Sequence, residues 1–291
     1  MNADLKIVKQ NLSFNSPDNS NIANNNSHDN GLVDNCTVDH LASVHKDAKL
    51  GKGCIVGPYA IIEKNVVLGK NCIIHAHAVI SGPSFFGDDN EIFPFAVIGE
   101  APQDLRHKGE PTSLKVGNRN IFREHVTVSR GTIHGGAVTV IGDENMVMAY
   151  SHIAHDCIIG NRVVMANNAT LAGHVEVQDF AVFGGSVSVG SFLRIGESAM
   201  LGAGSMIDRD VAPFSMVAGD RAALQGINSV GMTRRGFDSA ERLIIKRIVK
   251  MLKRKEPLQN IINEFSYESD SLKPMVRLIE FLQTASRGIT R

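Results

Sequence analysis

The stretch Val147-Met-Ala-Tyr-Ser-His-Ile-Ala-His-Asp-Cys-Ile-Ile-Gly160 carries two superimposed patterns. Val147, Ile153 and Ile159 recur at every sixth position, and His152, His155 and Asp156 stand between them. The first pattern runs on in both directions. Stepping by six from Ile141 meets Val147, Ile153, Ile159, Met165, Leu171, Val177, Phe183, Val189, Ile195, Leu201 and Ile207. Upstream, the same step from Leu32 meets Val38, Val44, Leu50, Val56, Ile62, Leu68, Ile74, Ile80, Phe86, Ile92 and Ile98, and Val116, Phe122 and Val128 make a short run between. All are apolar. A helix repeats its apolar face about every 3.6 residues and a half-buried strand every second residue, so neither holds this register.

A sustained hexad is the mark of a parallel β-helix, each hexad being one short strand and a corner. Three hexads close a coil of 18 residues, the spacing of Cys36, Cys54 and Cys72. These thiols are expected to stack on one wall as small buried hydrophobes, and Cys157 occupies the same hexad slot. No CxxC spacing accompanies them, as a zinc site would require. Gly51, Gly57, Gly69, Gly87 and Gly99 follow hexad residues, where the corner's backbone favours a residue without Cβ.

The expected organisation has three parts. Residues 1–31 are an Asn-rich extension, too poor in apolar side chains to offset its ordering entropy and expected to be disordered. Residues 32–220 form the β-helix, whose register breaks at Glu100–Thr112 and Arg130–Ala137. These give loop insertions near 100–115 and 130–140, and such loops usually carry function. Residues 221–291 form a C-terminal helical domain. Its first part, Gly226–Phe237, reads as a connector.

Three helices follow the connector. Asp238 or Ser239 caps one running to about Lys255, with Leu243, Ile244, Ile248, Met251 and Leu252 on its inner face. Pro257 starts a second with Leu258, Ile261, Ile262 and Phe265 inward, and Ser271 precedes a third with Leu272, Met275, Leu278, Ile279 and Leu282. The first helix is strongly basic, through Lys246, Arg247, Lys250, Lys253, Arg254 and Lys255, and could dock an acidic partner.

Lys+Arg and Asp+Glu both number 30, so net charge makes no case for nucleic acid or a membrane surface. No window approaches the ~18 apolar residues of a membrane span, and the N-terminus lacks a signal-peptide core. The chain therefore reads as cytoplasmic, without stable membrane insertion.

His155 can take a proton at neutral pH. A carboxylate on one ring nitrogen fixes the tautomer and leaves the other nitrogen as a base. Neighbouring strand residues point to opposite faces, so His155 and Asp156 meet only if a corner bends the chain there. His152 lies three positions earlier, and His174 follows one coil plus one residue later. Three histidines on one wall point to chemistry.

Beyond the hexads, several stretches resemble the UDP-N-acetylglucosamine acyltransferases. They are Ile98-Gly-Glu-Ala-Pro-Gln-Asp-Leu-Arg106, Gly109-Glu-Pro-Thr112, His152-Ile-Ala-His-Asp-Cys157, Ala166-Asn-Asn-Ala-Thr-Leu-Ala-Gly-His-Val175, Arg234-Arg-Gly-Phe237 and Ser286-Arg-Gly-Ile-Thr-Arg291. The resemblance runs from about residue 40 to the C-terminus. It implies a left-handed β-helix and a homotrimer with the site between subunits. The reaction implied is transfer of a 3-hydroxyacyl chain from acyl carrier protein to the 3-hydroxyl of UDP-N-acetylglucosamine, the first step of lipid A synthesis.

His155 would be the general base, supported by Asp156. Gln103, Asp104, Arg106, His152 and His174 match positions around the sugar and acyl groups, the Gly173 amide an oxyanion donor, and Asn228, Arg234 and Arg235 the nucleotide end. Ala203 matches the ruler of acyl length. An acyl thioester is already activated, so no cofactor or metal is needed.

The chain departs from the family at four places. Arg106 replaces the usual Lys, Gly190-Ser191 a common His-Gln that contacts the nucleotide sugar, and Val230 a common Glu. Ala203 replaces a Gly, which favours a shorter chain. A UDP-diamino sugar acceptor, a CoA-dependent acetyltransferase, a zinc-bearing carbonic anhydrase on the same fold and an inactive scaffold are the alternatives.

Overall fold

The structure, a computed structural model, describes residues 35–266 and 272–291. The Asn-rich stretch 1–31, Leu32 and Ser271 lie outside the described residues.

Short strands follow one another at hexad spacing and sort in turn into three sheets of 11, 9 and 8 strands. Thr37–Val38 opens the first wall, Ser43–Val44 the second and Lys49–Leu50 the third, and Ile55–Val56 returns to the first. Successive coils pair in parallel, Thr37 opposite Ile55 and Ile55 opposite Ile73. Each coil donates to the next, as from Thr37 N–H to the Cys54 carbonyl at 2.8 Å, so the backbone is satisfied wall by wall. The result is a parallel β-helix. Its hexad residues, such as Ile62, Ile98, Ile153 and Leu201, are buried inside. Each such side chain contributes ~1.5–3 kcal/mol by leaving water, which offsets the ordering of very short strands.

Cys36, Cys54 and Cys72 do stack. Each thiol donates to a glycine carbonyl of the adjacent corner, Gly51, Gly69 and Gly87, at 3.0, 3.2 and 3.3 Å. All four cysteines are free and buried, and burial pushes the Cys157 thiol up to about 12. They are packing groups. The same column continues as buried Asn90, Asn120 and Asn145, each accepting a backbone N–H of the next coil at its side-chain oxygen. The step is 18 residues from Asn145 to Val163, but 30 from Asn90 to Asn120 and 25 from Asn120 to Asn145. The extra residues are the two inserted loops, expelled without loss of register.

The glycines serve a different purpose from the one expected. Of Gly51, Gly57, Gly69, Gly87 and Gly99, only Gly99 has a left-handed φ, of 83°. The others are held by close approach between coils: a Cβ on Gly51 would stand 2.4 Å from the Gly69 carbonyl oxygen, and one on Gly69 as close to that of Gly87. The left-handed corners fall instead to residues with side chains. Along the edge between the first and second walls, Tyr59, His77, Phe95, His125 and Tyr150 all have φ near 60°. Their rings stack at 4.7–5.2 Å, and this stacking offsets the conformational cost of the corner.

After the strand pair Ser215–Ala218 and Ala223–Ile227, which is antiparallel, come the helices. The expected connector contains one, α1 (Ser229–Arg234), because Asn228 caps it by accepting the Gly231 N–H. Then follow α2 (Ser239–Lys253), with an Asp238/Glu241 capping box, α3 (Leu258–Ser266) and α4 (Lys273–Gln283). The inner face of α2 is rotated from the expected one. Ile245, Ile248, Val249 and Leu252 are buried, while Leu243 is 69% exposed. The helix packs against both Ala223–Ile227 and α4, and two contact directions move the buried stripe.

The helices are tied back to the prism by Arg235 and Arg277, both paired with Glu197, and by Thr290 N–H on the Asp210 carbonyl. Among the described residues no helix is long and apolar enough to cross a membrane.

Candidate active site

Both inserted loops leave the prism at the edge between the second and third walls. The first joins Val97–Glu100 to Ser113–Val116, the second Thr127–Ser129 to Val138–Ile141. The corners of the next coils, holding His155–Asp156, Gly173–His174 and Ser191–Phe192, fall on the same edge. Two polar loops and the histidines therefore share one strip.

Asp156, His174 and Phe192 occupy the corners with φ of 61°, 64° and 64°. That turn removes the alternation of a strand. His155 Nδ1 lies 2.8 Å from Asp156 Oδ2. The Asp156 side chain is fully buried, whereas that of His155 is 14% exposed and reaches the surface. With Nδ1 committed as donor to the carboxylate, Nε2 holds the lone pair. Gly173 lies against the ring: a Cβ there would stand 2.8 Å from Nε2 and 2.5 Å from Cε1. Among the described residues the Gly173 N–H donates to no backbone carbonyl.

His174 meets the His155 ring edge-on, with centroids 5.2 Å apart, and stacks flat on Phe192 at 4.3 Å. His152, on the second wall, bonds through Nδ1 to Thr127 Oγ1 at 2.7 Å. Burial pushes His152 below its usual 6.5, helped by the charge of His155. Burial does the same to His174, against the pull of Asp156. A histidine depressed in the folded state contributes its full stability above the unfolded value, and loses it as pH falls below that value toward the folded one. The thermal midpoint is therefore expected to drop between about pH 7 and about pH 5, and to drop less in His152→Gln, as calorimetry at both pH values would show.

The first loop overhangs this strip. Arg106 grips Asp104 with Nη2 at 2.7 Å and with its backbone N–H at 2.9 Å, and holds that carboxyl well below the usual range. Asp104 also feels His155, and Arg106 feels Asp156. Gln103 and Ser191 are exposed on the same edge.

The remaining candidate residues lie elsewhere on the prism. Ala203 is exposed at the edge between the first and second walls. Asn228, Arg234 and Arg235 gather at the edge between the third and first. There Asn228 Nδ2 donates to the Ser198 carbonyl at 2.9 Å, and Arg235 bonds Glu197 and Ser198 and covers the Phe180 ring at 3.7 Å. Asn228 and Arg235 are thus engaged within the chain, and Arg234 is the exposed cation of the three. Six residues at ~3.3 Å each make a wall of roughly 20 Å, which separates this group from His155 in one chain.

Thr132 was missed. Its N–H and hydroxyl both bond Asp156, at 2.9 and 2.7 Å. A lone Thr in a Gly-rich loop carries no signal of such a role.

The ligand atoms of His155, Asp156 and His174 lie within 4.8 Å of one another, a composition that can hold a metal. The Asp156 oxygens, however, already accept three hydrogen bonds from Thr132 and His155. Most of the carboxylate's acceptor sites are thus taken by donors, an arrangement that suits proton transfer better than ligation.

Comparison with known proteins bears on this geometry. Residues 210–290 match the family described as Udp N-acetylglucosamine O-acyltransferase, domain 2, and residues 47–82 and 139–173 match the bacterial transferase hexapeptide repeat. The acyl-[acyl-carrier-protein]–UDP-N-acetylglucosamine O-acyltransferase of Verminephrobacter eiseniae is 45% identical over 215 residues, 72% of this chain and 82% of that one. Its counterpart from Thermodesulfovibrio yellowstonii is 48% identical over 211 residues, with the same coverage. Among solved structures, the UDP-N-acetylglucosamine acyltransferase of Francisella novicida superposes with a TM-score of 0.83 at 36% identity, covering 88% of this chain and 94% of that one.

Proposed function

Because the chain belongs to the UDP-N-acetylglucosamine O-acyltransferase family, we propose that it moves a 3-hydroxyacyl chain from acyl carrier protein to the 3-hydroxyl of UDP-N-acetylglucosamine, the first step of lipid A biosynthesis. The observation that carries the chemistry is the 2.8 Å contact between a surface-reaching His155 and the buried Asp156. His155 Nε2 takes the proton of the sugar hydroxyl as its oxygen attacks the thioester carbonyl. The oxyanion forms beside the Gly173 N–H. The C–S bond then breaks, and His155 returns its proton to the departing thiolate of the carrier. Asp156 stays ionised and keeps Nδ1 protonated throughout.

Gln103, Asp104, Arg106, His152, His174 and Ser191 surround the acceptor sugar and the acyl carbonyl. Arg234, the exposed cation of its group, serves the nucleotide, with Asn228 and Arg235 shaping that edge through their bonds to Ser198 and Glu197, and Ala203 limits the acyl chain. These groups stand on three different edges of one prism, which supports a homotrimer whose site lies between copies. Exposed Lys246 and Lys250 on α2, with Arg254 and Lys255 just past its C-terminal end, suit an acidic carrier protein. Four reduced cysteines agree with a cytoplasmic enzyme.

The test is a panel of 3-hydroxyacyl carrier-protein thioesters and acetyl-CoA against UDP-N-acetylglucosamine and a UDP-diamino sugar, read by mass spectrometry. Ester formation on UDP-N-acetylglucosamine from the carrier thioesters is expected, weaker for long chains. Acylation from acetyl-CoA alone, or amide formation alone, would replace this reading.

A further inference from the structure

The second inserted loop is built around one carboxylate. Thr132, itself buried, gives its N–H to Asp156 Oδ1 at 2.9 Å and its hydroxyl proton to Oδ2 at 2.7 Å. The same hydroxyl oxygen accepts the Gly135 N–H at 3.2 Å, closing the short 3-10 turn Ile133–Gly135. Donor and acceptor capacities of the hydroxyl are both used. Gly135 presses on the carboxylate, since a Cβ there would fall 2.1 Å from Asp156 Cγ. From the returning strand, Thr139 Oγ1 accepts the Asp156 N–H at 2.8 Å. Oδ2 also takes the His155 Nδ1–H. Three donors on two oxygens leave the group one orientation.

An aspartate's terminal torsion is intrinsically broad. Nothing in Asp156 itself selects the rotation that aims Oδ2 at the imidazole. We infer that Thr132 is a positioning residue for acyl transfer. Its hydroxyl locks the Asp156 carboxylate against His155 Nδ1 and so keeps Nε2 free to accept the proton of the acceptor hydroxyl. This inference rests on the function proposed above. It assigns part of the inserted loop to tautomer control, a role separate from covering the substrate.

Thr132→Val keeps the shape and the N–H and removes the hydroxyl, both as donor to Asp156 and as acceptor for the Gly135 N–H, which retains its 3.0 Å bond to the Thr132 carbonyl. Thr132→Ser restores the hydroxyl. With Thr132→Val, kcat should fall roughly tenfold or more, the rate equivalent of one buried charge-assisted bond. Both KM values should stay near native, and Thr132→Ser should recover most of the loss. In protein labelled with ¹⁵N-imidazole, His155 should be protonated at Nδ1 in the native and Ser forms and mixed between tautomers in the Val form.

Native kcat in Thr132→Val would overturn the inference. So would an equal loss in Thr132→Ser, a change in KM alone, or a fall in kcat with His155 still wholly Nδ1-protonated. If the native protein transfers no acyl group, the functional reading fails, and the ¹⁵N signal alone then decides whether Thr132 holds the pair.

Discussion

Replacing His155 with alanine is expected to lower kcat for acyl transfer by ~10²–10⁴-fold, the contribution of a positioned general base, while the prism stays folded. The fold should survive because the Asp156 carboxylate keeps both Thr132 donors after the imidazole is gone, and because no part of the hexad core is touched. Neither KM should move by more than a few-fold if the ring, as proposed, accepts a proton in the transition state. Steady-state rates on the acyl carrier protein thioester, with the thermal midpoint beside them, would check this. Turnover close to native would sink the assignment of His155 as base.

Gly173→Ala should be nearly as damaging, for a steric reason. The new methyl carbon would sit 2.5 Å from His155 Cε1, 2.8 Å from Nε2 and 3.1 Å from Nδ1. The backbone conformation at Gly173 is not left-handed, so alanine itself is tolerated and the strain falls on the imidazole. Either the ring swings away from Asp156 or the corner retreats and takes the Gly173 N–H with it. A displacement of that size costs ~10²-fold in rate. In the His155→Ala background the same substitution should cost much less, because the ring it strikes is absent. Measured kcat for the two single variants and the double variant gives the coupling. Fully additive losses would mean that Gly173 acts apart from the ring.

The β-helix was legible because its physics is local and periodic. A residue that must point into the prism recurs every sixth position, and water enforces that pattern on each hexad separately, from Leu50 to Ile207. The cysteine column followed from the same arithmetic. His155 and Asp156 stood out as polar groups in an apolar register, and the roles given them came from motif resemblance.

Packing between distant residues could not be read this way. Nothing in the chain's order says that Thr132, 24 residues before Asp156, would return to hold it, because an expelled loop takes its path from the coils around it. The fate of Asn228 and Arg235, drawn into bonds with Ser198 and Glu197, depends on where the helices settle. So does the outward turn of Leu243. The glycines were visible, but their reason was not: it lies in the approach of neighbouring coils, as where Gly51 meets Gly69. Periodicity carries information about which way a side chain faces. Which partner it finds there is settled only when separate coils, loops and helices are brought into contact.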